Sequence, residues 1–326
     1  MNNKMEIKNP KVGALFQVAL AGVSFGTIPI FAALLREQNI SVALQVFFRL
    51  AVTVIILAPF LWHFIGYKLK VTKRQDVLIL AANGLLIFGA FFTYIFSIAL
   101  GTPVGKAVLL IYIYPLFTVL FGIIFLKESM DGHRALSIVL AMSGAAIVME
   151  FWSIGNIAGI RAGEFLAICN SFLSACIIVL GRYIGRDNKR LHPLSITFFS
   201  FVFALIWLAA ATFILRFSSL QIISLSVGLN LHITALPYLM GIAVISTLVP
   251  YLLLYSGLRK IEATTASILL LLEPVSVFIM GKVILSEPIK SSQIIGGACI
   301  LAAVFLSSRR QLKNYKWQRR KTVPLP

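Results

Sequence analysis

Long apolar runs follow one another along nearly the whole chain, each close to the ~20 residues an α-helix needs to cross a hydrocarbon core of roughly 30 Å. Ten spans are read, at residues 13–35, 43–64, 77–99, 104–126, 135–151, 163–184, 194–215, 235–258, 264–285 and 291–307. Only 12% of the 326 residues are charged and 59% are hydrophobic, against about a quarter charged in soluble proteins. Nothing the size of a soluble domain is left once the spans are removed. Ala19, Ala21 and Gly22 have the look of a signal-peptide cleavage site, but the first apolar run continues past them and carries Pro29 within a full-length span, so it stays as helix one. The fold class is all-α integral membrane. Cys169, Cys176 and Cys299 all fall inside spans and read as packing residues.

A net charge of +18 invites a nucleic-acid reading until its distribution is followed. With the amino terminus inside, 22 of the 29 Lys and Arg are cytoplasmic: Lys4, Lys8, Lys11, Lys68, Lys70, Lys73, Arg74, Lys127, Arg134, Arg182, Arg186, Lys189, Arg190, Arg259, Lys260 and seven between residues 309 and 321. The outer segments hold Arg36, Arg161, Arg216 and Lys290. That is the positive-inside pattern, and it predicts ten spans with both termini cytoplasmic in the cell membrane. The charge is a topology signal and calls for no nucleic-acid partner. The basic tail, with Tyr315 and Trp317 interleaved, also suits an anionic leaflet at about 1 kcal/mol per basic residue.

Two proline-centred segments reveal an internal repeat. Residues 107–128 read AVLLIYIYPLFTVLFGIIFLKE, and residues 266–287 read ASILLLLEPVSVFIMGKVILSE. Alanine, proline, glycine (Gly122 and Gly281) and terminal glutamate coincide without a gap. The following runs also agree in register, both small and apolar at 137–144 and 296–303. Spans four and five therefore correspond to nine and ten. Five spans per half is an odd number, so the second half crosses in the opposite sense. The predicted organisation is two inverted five-helix repeats, 13–151 and 163–307, followed by a basic cytoplasmic tail at 308–326. Such an arrangement sets a central site between the halves near the midplane, able to open to either side.

Further motifs complete a pattern: Ser24-Phe25-Gly26 in helix one, FFRLA at 47–51, residues 115–128, GE at 163–164, VLGR at 179–182, residues 251–258, and LEP at 272–274 running on to Glu287. In this order and spacing the chain resembles the drug/metabolite transporter superfamily, EamA type, over almost its whole length. The resemblance implies a cavity open alternately to each side and a metabolite, amino acid or drug as solute, without specifying which. The chain departs from the pattern in helix one, where Phe25 replaces the Trp that commonly precedes the glycine.

Glu273 is the most informative polar position. A charged group at mid-span costs roughly 2.5 to 3.5 kcal/mol on insertion scales, so it should face the protein interior. There it can take up a proton or meet a cationic substrate group; the alternative is a structural carboxylate held by hydroxyls or an amide of neighbouring helices. Pro274 has no N–H, so the Leu270 carbonyl loses its helical partner and can face a cavity, and Pro115 does the same for Ile111. Tyr114 occupies in the first repeat the place of Glu273 in the second. Arg49 lies about two turns inside helix two, where it either joins the site or snorkels to the outer interface. Lys106, Lys282, Glu150 and Glu164 read as interfacial, and Lys282 lies on the face of its helix opposite Glu273. Glu128 and Glu287 end helices where the macrodipole disfavours an anion, so each needs donors from outside its own helix. Asn83, Tyr94, Asn170, Ser174, Tyr251 and Tyr255 either line a cavity or bond between helices.

No HExxH is present, His63, His133, His192 and His232 fall in loops or at helix ends, and no P-loop appears. The sequence therefore predicts neither an enzyme nor an ATP-driven pump, and calls for no cofactor or metal. The expected function is secondary transport, as an exporter, of small metabolites or amino acids by alternating access with proton coupling. The partners are the solute, the lipid bilayer and protons; the oligomeric state is unread. The alternatives are a facilitative uniporter or channel, and a non-transporting receptor or scaffold.

Overall fold

A computed structural model describes residues 10–65, 73–153, 161–187, 191–217 and 232–322. Among them, nine helices are long and apolar enough to cross a membrane, and Gly132–Val148 is a shorter apolar tenth. Its 17 residues extend about 26 Å at 1.5 Å per residue.

Span one is α1 (Pro10–Phe25) and α2 (Ile28–Glu37); span two is α3 (Val42–Phe60), closed by a π turn at Leu61–Ile65. Span three is α4 (Arg74–Ala99), span four α5 (Val104–Ile111) and α6 (Tyr114–Leu126), and span five α7 (Gly132–Val148). In the second half, span six is α8 (Ala162–Asp187) and span seven α9 (Pro193–Phe217). Span eight is α10 (Leu236–Ala243), a π turn at Val244–Leu248 and α11 (Val249–Leu258). Span nine is α12 (Ala263–Leu270) and α13 (Leu272–Ile284), and span ten is α14 (Ser291–Thr322). Ten crossings return both termini to one end of the bundle, called here the termini end.

The apolar runs locate the spans, while local chemistry sets their ends. Span five starts earlier than its apolar run because Asp131 is an N-cap, its carboxylate accepting from the Arg134 N–H at 2.9 Å. Span ten continues past its apolar run to Thr322, since Arg, Gln and Lys extend a helix readily. Spans one, four and nine are broken, and in each case the second segment opens with a proline in its first turn: Pro29, Pro115 and Pro274. Proline is well suited there, because its missing N–H would have no helical partner. The breaks in spans four and nine fall at matching places in the two repeats, after Ile111 and after Leu270.

The halves interlock. Helix α1 packs along α11, α12 and α13, α4 along α8 and α9, α6 against α8 and α12, and α7 along α14. The α7–α14 seam is drawn to backbone contact by glycines. A Cβ on Gly144 would lie 2.7 Å from the Gly296 carbonyl oxygen, and one on Gly296 2.5 Å from that of Gly144. Small residues permit this approach where lipid supplies no hydrophobic drive between helices. Large apolar side chains such as Phe16, Ile55, Phe125, Val139, Val283 and Ile294 point outward.

Candidate functional site

The three breaks meet around one cavity. It measures about 520 Å³ and is walled by both halves: α1–α2, α3, α4, the broken span four, α8, α10–α11 and the broken span nine. Phe25, Phe91, Ile177, Leu254 and Phe278 supply apolar wall, while Arg49, Tyr94, Tyr112, Tyr114, Asn170, Tyr251 and Glu273 supply polar atoms. Arg36, Val42, Val104, Gly105, Met149 and Gln293 carry the lining toward the end opposite the termini.

Of the residues singled out from sequence, Glu273, Tyr114, Pro274, Tyr94, Asn170, Tyr251 and Arg49 line this cavity, as does Ser174. Pro115, Asn83 and Tyr255 lie outside the lining. The Asn83 amide is drawn into helix packing instead, donating to Ser200 Oγ at 2.8 Å and to the Tyr255 hydroxyl at 2.7 Å. Pro115 is buried in the first turn of α6, where it breaks the span without facing the cavity.

Arg49 does not snorkel. Its side chain is buried, its Nε donates to Thr247 Oγ1 at 2.8 Å, and its guanidinium lies 4.5 Å from the centre of the Phe91 ring. The partner exists because span eight contains a π turn. Thr247 Oγ1 donates to the Ile242 carbonyl at 2.8 Å and accepts from Arg49. Such turns mark functional positions more often than regular helix does.

Glu273 is half-buried at the start of α13 and lines the cavity together with Tyr112. Sequence reasoning passed over Tyr112. Two residues apart on a continuous helix, Tyr112 and Tyr114 would point about 200° apart; the break at 112–113 brings both to the cavity wall. The Tyr114 hydroxyl donates to the Ser267 carbonyl at 3.1 Å, tying the two broken spans together. The Asn170 amide donates to the Ala90 carbonyl, and Ser174 Oγ donates to Asn170 Oδ1 at 3.2 Å. Phe25 meets Tyr251 edge to face at 5.5 Å, so helix one still offers an aromatic wall.

The termini end is sealed. Glu128 finds its donors outside its own helix, at the N-terminus of α12: Ala263 N–H at 2.6 Å, Thr264 N–H at 3.2 Å and Thr264 Oγ1 at 2.8 Å. Around it Arg134 donates to Glu262 and to the Ser129 carbonyl, and Arg310 donates to Asp131 at 2.6 Å. Some desolvation opposes ionisation of the exposed Asp131, yet the Arg310 hydrogen bond and the Arg134 N–H hold it below its ordinary range. At the opposite end Lys106 pairs with Glu164 at 2.7 Å and Lys290 with Glu150 at 2.6 Å, whereas Glu287 is exposed.

Residues 12–150 and 161–309 each match the EamA-like transporter family. The chain belongs to that family. It is 26% identical to an uncharacterized transporter of Archaeoglobus fulgidus over 90% of this chain and 95% of that one. It is also 26% identical to a protein of Escherichia coli K12 named a probable amino-acid metabolite efflux pump, over 70% of this chain and 76% of the other. A solved structure superposes with a TM-score of 0.73 at 16% identity, covering 92% of this chain and 98% of its own, and shares the fold. This EamA-like protein is thus a multi-pass membrane transporter for a small molecule, with a cavity walled by both of its repeats.

Proposed function

We propose that this transporter is a secondary carrier that exports small metabolites or amino acids across the cytoplasmic membrane by alternating access, in exchange for protons handled at Glu273. The observation that carries the reading is the cavity between the halves, extended toward one end, with a hydrogen-bonded network at the other. The concentration of Lys and Arg at the termini end supports a cytoplasmic location for it, which makes the present conformation outward-facing. The name of the Escherichia coli relative supports efflux of amino-acid-like solutes.

Glu273 and Arg49 place one acidic and one basic group in a largely apolar chamber. Protonation of Glu273 from outside and release inside would link the proton gradient to outward movement of solute. Tyr112 lines the same chamber and offers a hydroxyl there. Buried polar groups of this kind read as substrate or proton sites in membrane carriers.

The test is flux in proteoliposomes with a pooled amino-acid and metabolite mixture, with and without an imposed pH gradient. Saturable counterflow that responds to the gradient is the expected result. In Glu273→Gln the gradient response should fall by about tenfold or more while counterflow persists. Unsaturable flux would identify a channel, and binding without flux a receptor. An unchanged pH response in Glu273→Gln would remove the proton role.

A further inference from the structure

Spans four and nine end in the same device. Lys127 (φ 55°) and Ser286 (φ 57°) turn the chain through the left-handed region. The next N–H then returns to a glycine carbonyl, Glu128 to Gly122 at 3.0 Å and Glu287 to Gly281 at 3.2 Å. Each carboxylate folds back over its glycine: a Cβ would lie 3.2 Å from Glu128 Oε2 on Gly122 and 2.9 Å from Glu287 Oε2 on Gly281. The absence of a side chain at both glycines is what lets the two glutamates sit this way.

The two glutamates differ in what they hold. Glu128 caps the first turn of α12, whose own N-cap residue, Glu262, makes no side-chain cap bond. In the repeat alignment that turn corresponds to the first turn of α5, with Pro103 in the place of Glu262, Val104 of Ala263 and Gly105 of Thr264. The first turn of α5 likewise has no side-chain cap, and Val104 and Gly105 are exposed at the rim of the cavity. Glu287 is exposed as well. The nearby cations Lys106 and Lys290 are already paired, with Glu164 and Glu150.

We propose that the first turn of α5 is the docking site of the Glu287 carboxylate: when the outer end closes, Glu287 accepts from the Val104 and Gly105 N–H groups, and Glu128 leaves Ala263 and Thr264. The inference rests on the alternating-access reading above and gives it a defined pair of exchanging contacts. The first N–H groups of a helix have no partner within it and favour an anion. An inverted repeat carries the contact observed at one end over to the other. The outer dock is the weaker one, because Gly105 offers no hydroxyl where Thr264 does, and the position matching Arg134 is Gln293. The inner-sealed conformation described here is accordingly the resting one.

The test uses disulfide trapping in native membranes, with Cys169, Cys176 and Cys299 replaced by alanine and a protease site placed within residues 218–231. Cleavage then separates the chain unless a disulfide spans the cut. Lys127→Cys with Ala263→Cys, which leaves Glu128 in place, should cross-link readily in the resting protein. Ser286→Cys with Val104→Cys, which leaves Glu287 in place, should cross-link slowly, and about tenfold faster once Glu128→Gln frees the inner end. Each disulfide should stop flux, with recovery on reduction. Glu287→Ala alone, at an exposed position, should leave membrane expression and thermal stability unchanged but lower flux about tenfold.

The docking site is overturned if the 286/104 pair cross-links no faster with Glu128→Gln, or if its disulfide or Glu287→Ala leaves flux unaffected. If the pair switches as expected but no solute shows counterflow, docking stands and the transport reading fails.

Discussion

The two ends of the bundle are built from the same repeat and are not equivalent. At the termini end Glu128 is buried, accepts three hydrogen bonds from α12, and is surrounded by Arg134, Glu262, Arg310 and Asp131. At the other end Glu287 holds the same backbone turn but is exposed, and the ion pairs described there, Lys106–Glu164 and Lys290–Glu150, do not include it. The difference shows that the repeat supplies a shared shape, while side chains outside the repeat motif decide which end is held shut. Arg134 and Arg310 have no basic counterpart at the matching outer positions, which are Gln293 and Phe151.

The comparison breaks first at Arg134. Its side chain is 3% exposed and lies 3.9 Å from the buried Glu128 carboxylate, so Arg134→Ala leaves that buried charge without its nearest cation and should cost about 3 kcal/mol in a detergent melt. A smaller and more diagnostic contrast comes from the paired glutamates. Glu128→Ala strips the cap from α12 and should cost about 2 kcal/mol, whereas Glu287→Ala should stay within about 0.5 kcal/mol. Equal losses at the two positions would mean that the ends are held alike.

The smallest effect is in pH. Asp131, although some desolvation opposes it, lies below its ordinary range through Arg310 and Arg134, and Glu150 does so through hydrogen bonds from Lys290 and Ser292. A carboxylate with a depressed pKa contributes stability that is present above its unpaired value and is lost as pH falls through the paired one. Thermal stability should therefore be flat between about pH 5 and 8 as far as these loops are concerned, and should decline below about pH 4. Any change in flux within the flat window then has to come from inside the cavity, and Glu273→Gln shows whether it does.

Much of this was legible in the sequence because lipid writes large signals. Apolar runs, the sidedness of Lys and Arg, and the alignment of Pro115 with Pro274 are each visible without contacts. Seven of the residues expected at the site do line the cavity, Glu273 and Arg49 among them. What escaped depended on distance or on a break in periodicity. Tyr112 reaches the cavity only because span four is interrupted beside it, and Arg49 is held inward by Thr247, which a π turn in span eight presents. The partners of Glu128 lie 135 and 136 residues away. Its need for outside donors could be read from the helix end, but their identity could not. Asn83 and Tyr255 have the composition of a polar lining, and their hydroxyl and amide were instead taken by each other.

The glycine seam between α7 and α14 sets a limit on how such a molecule can deform. Gly144 and Gly296 bring two main chains together with no side chain between them, so that line has no slack to give up and no spacer to compress. Rotation about it costs little, whereas prying the two helices apart exposes peptide groups to hydrocarbon. If the halves rock as proposed, the seam would serve as their fulcrum, and the longest stroke would fall on the spans across the cavity.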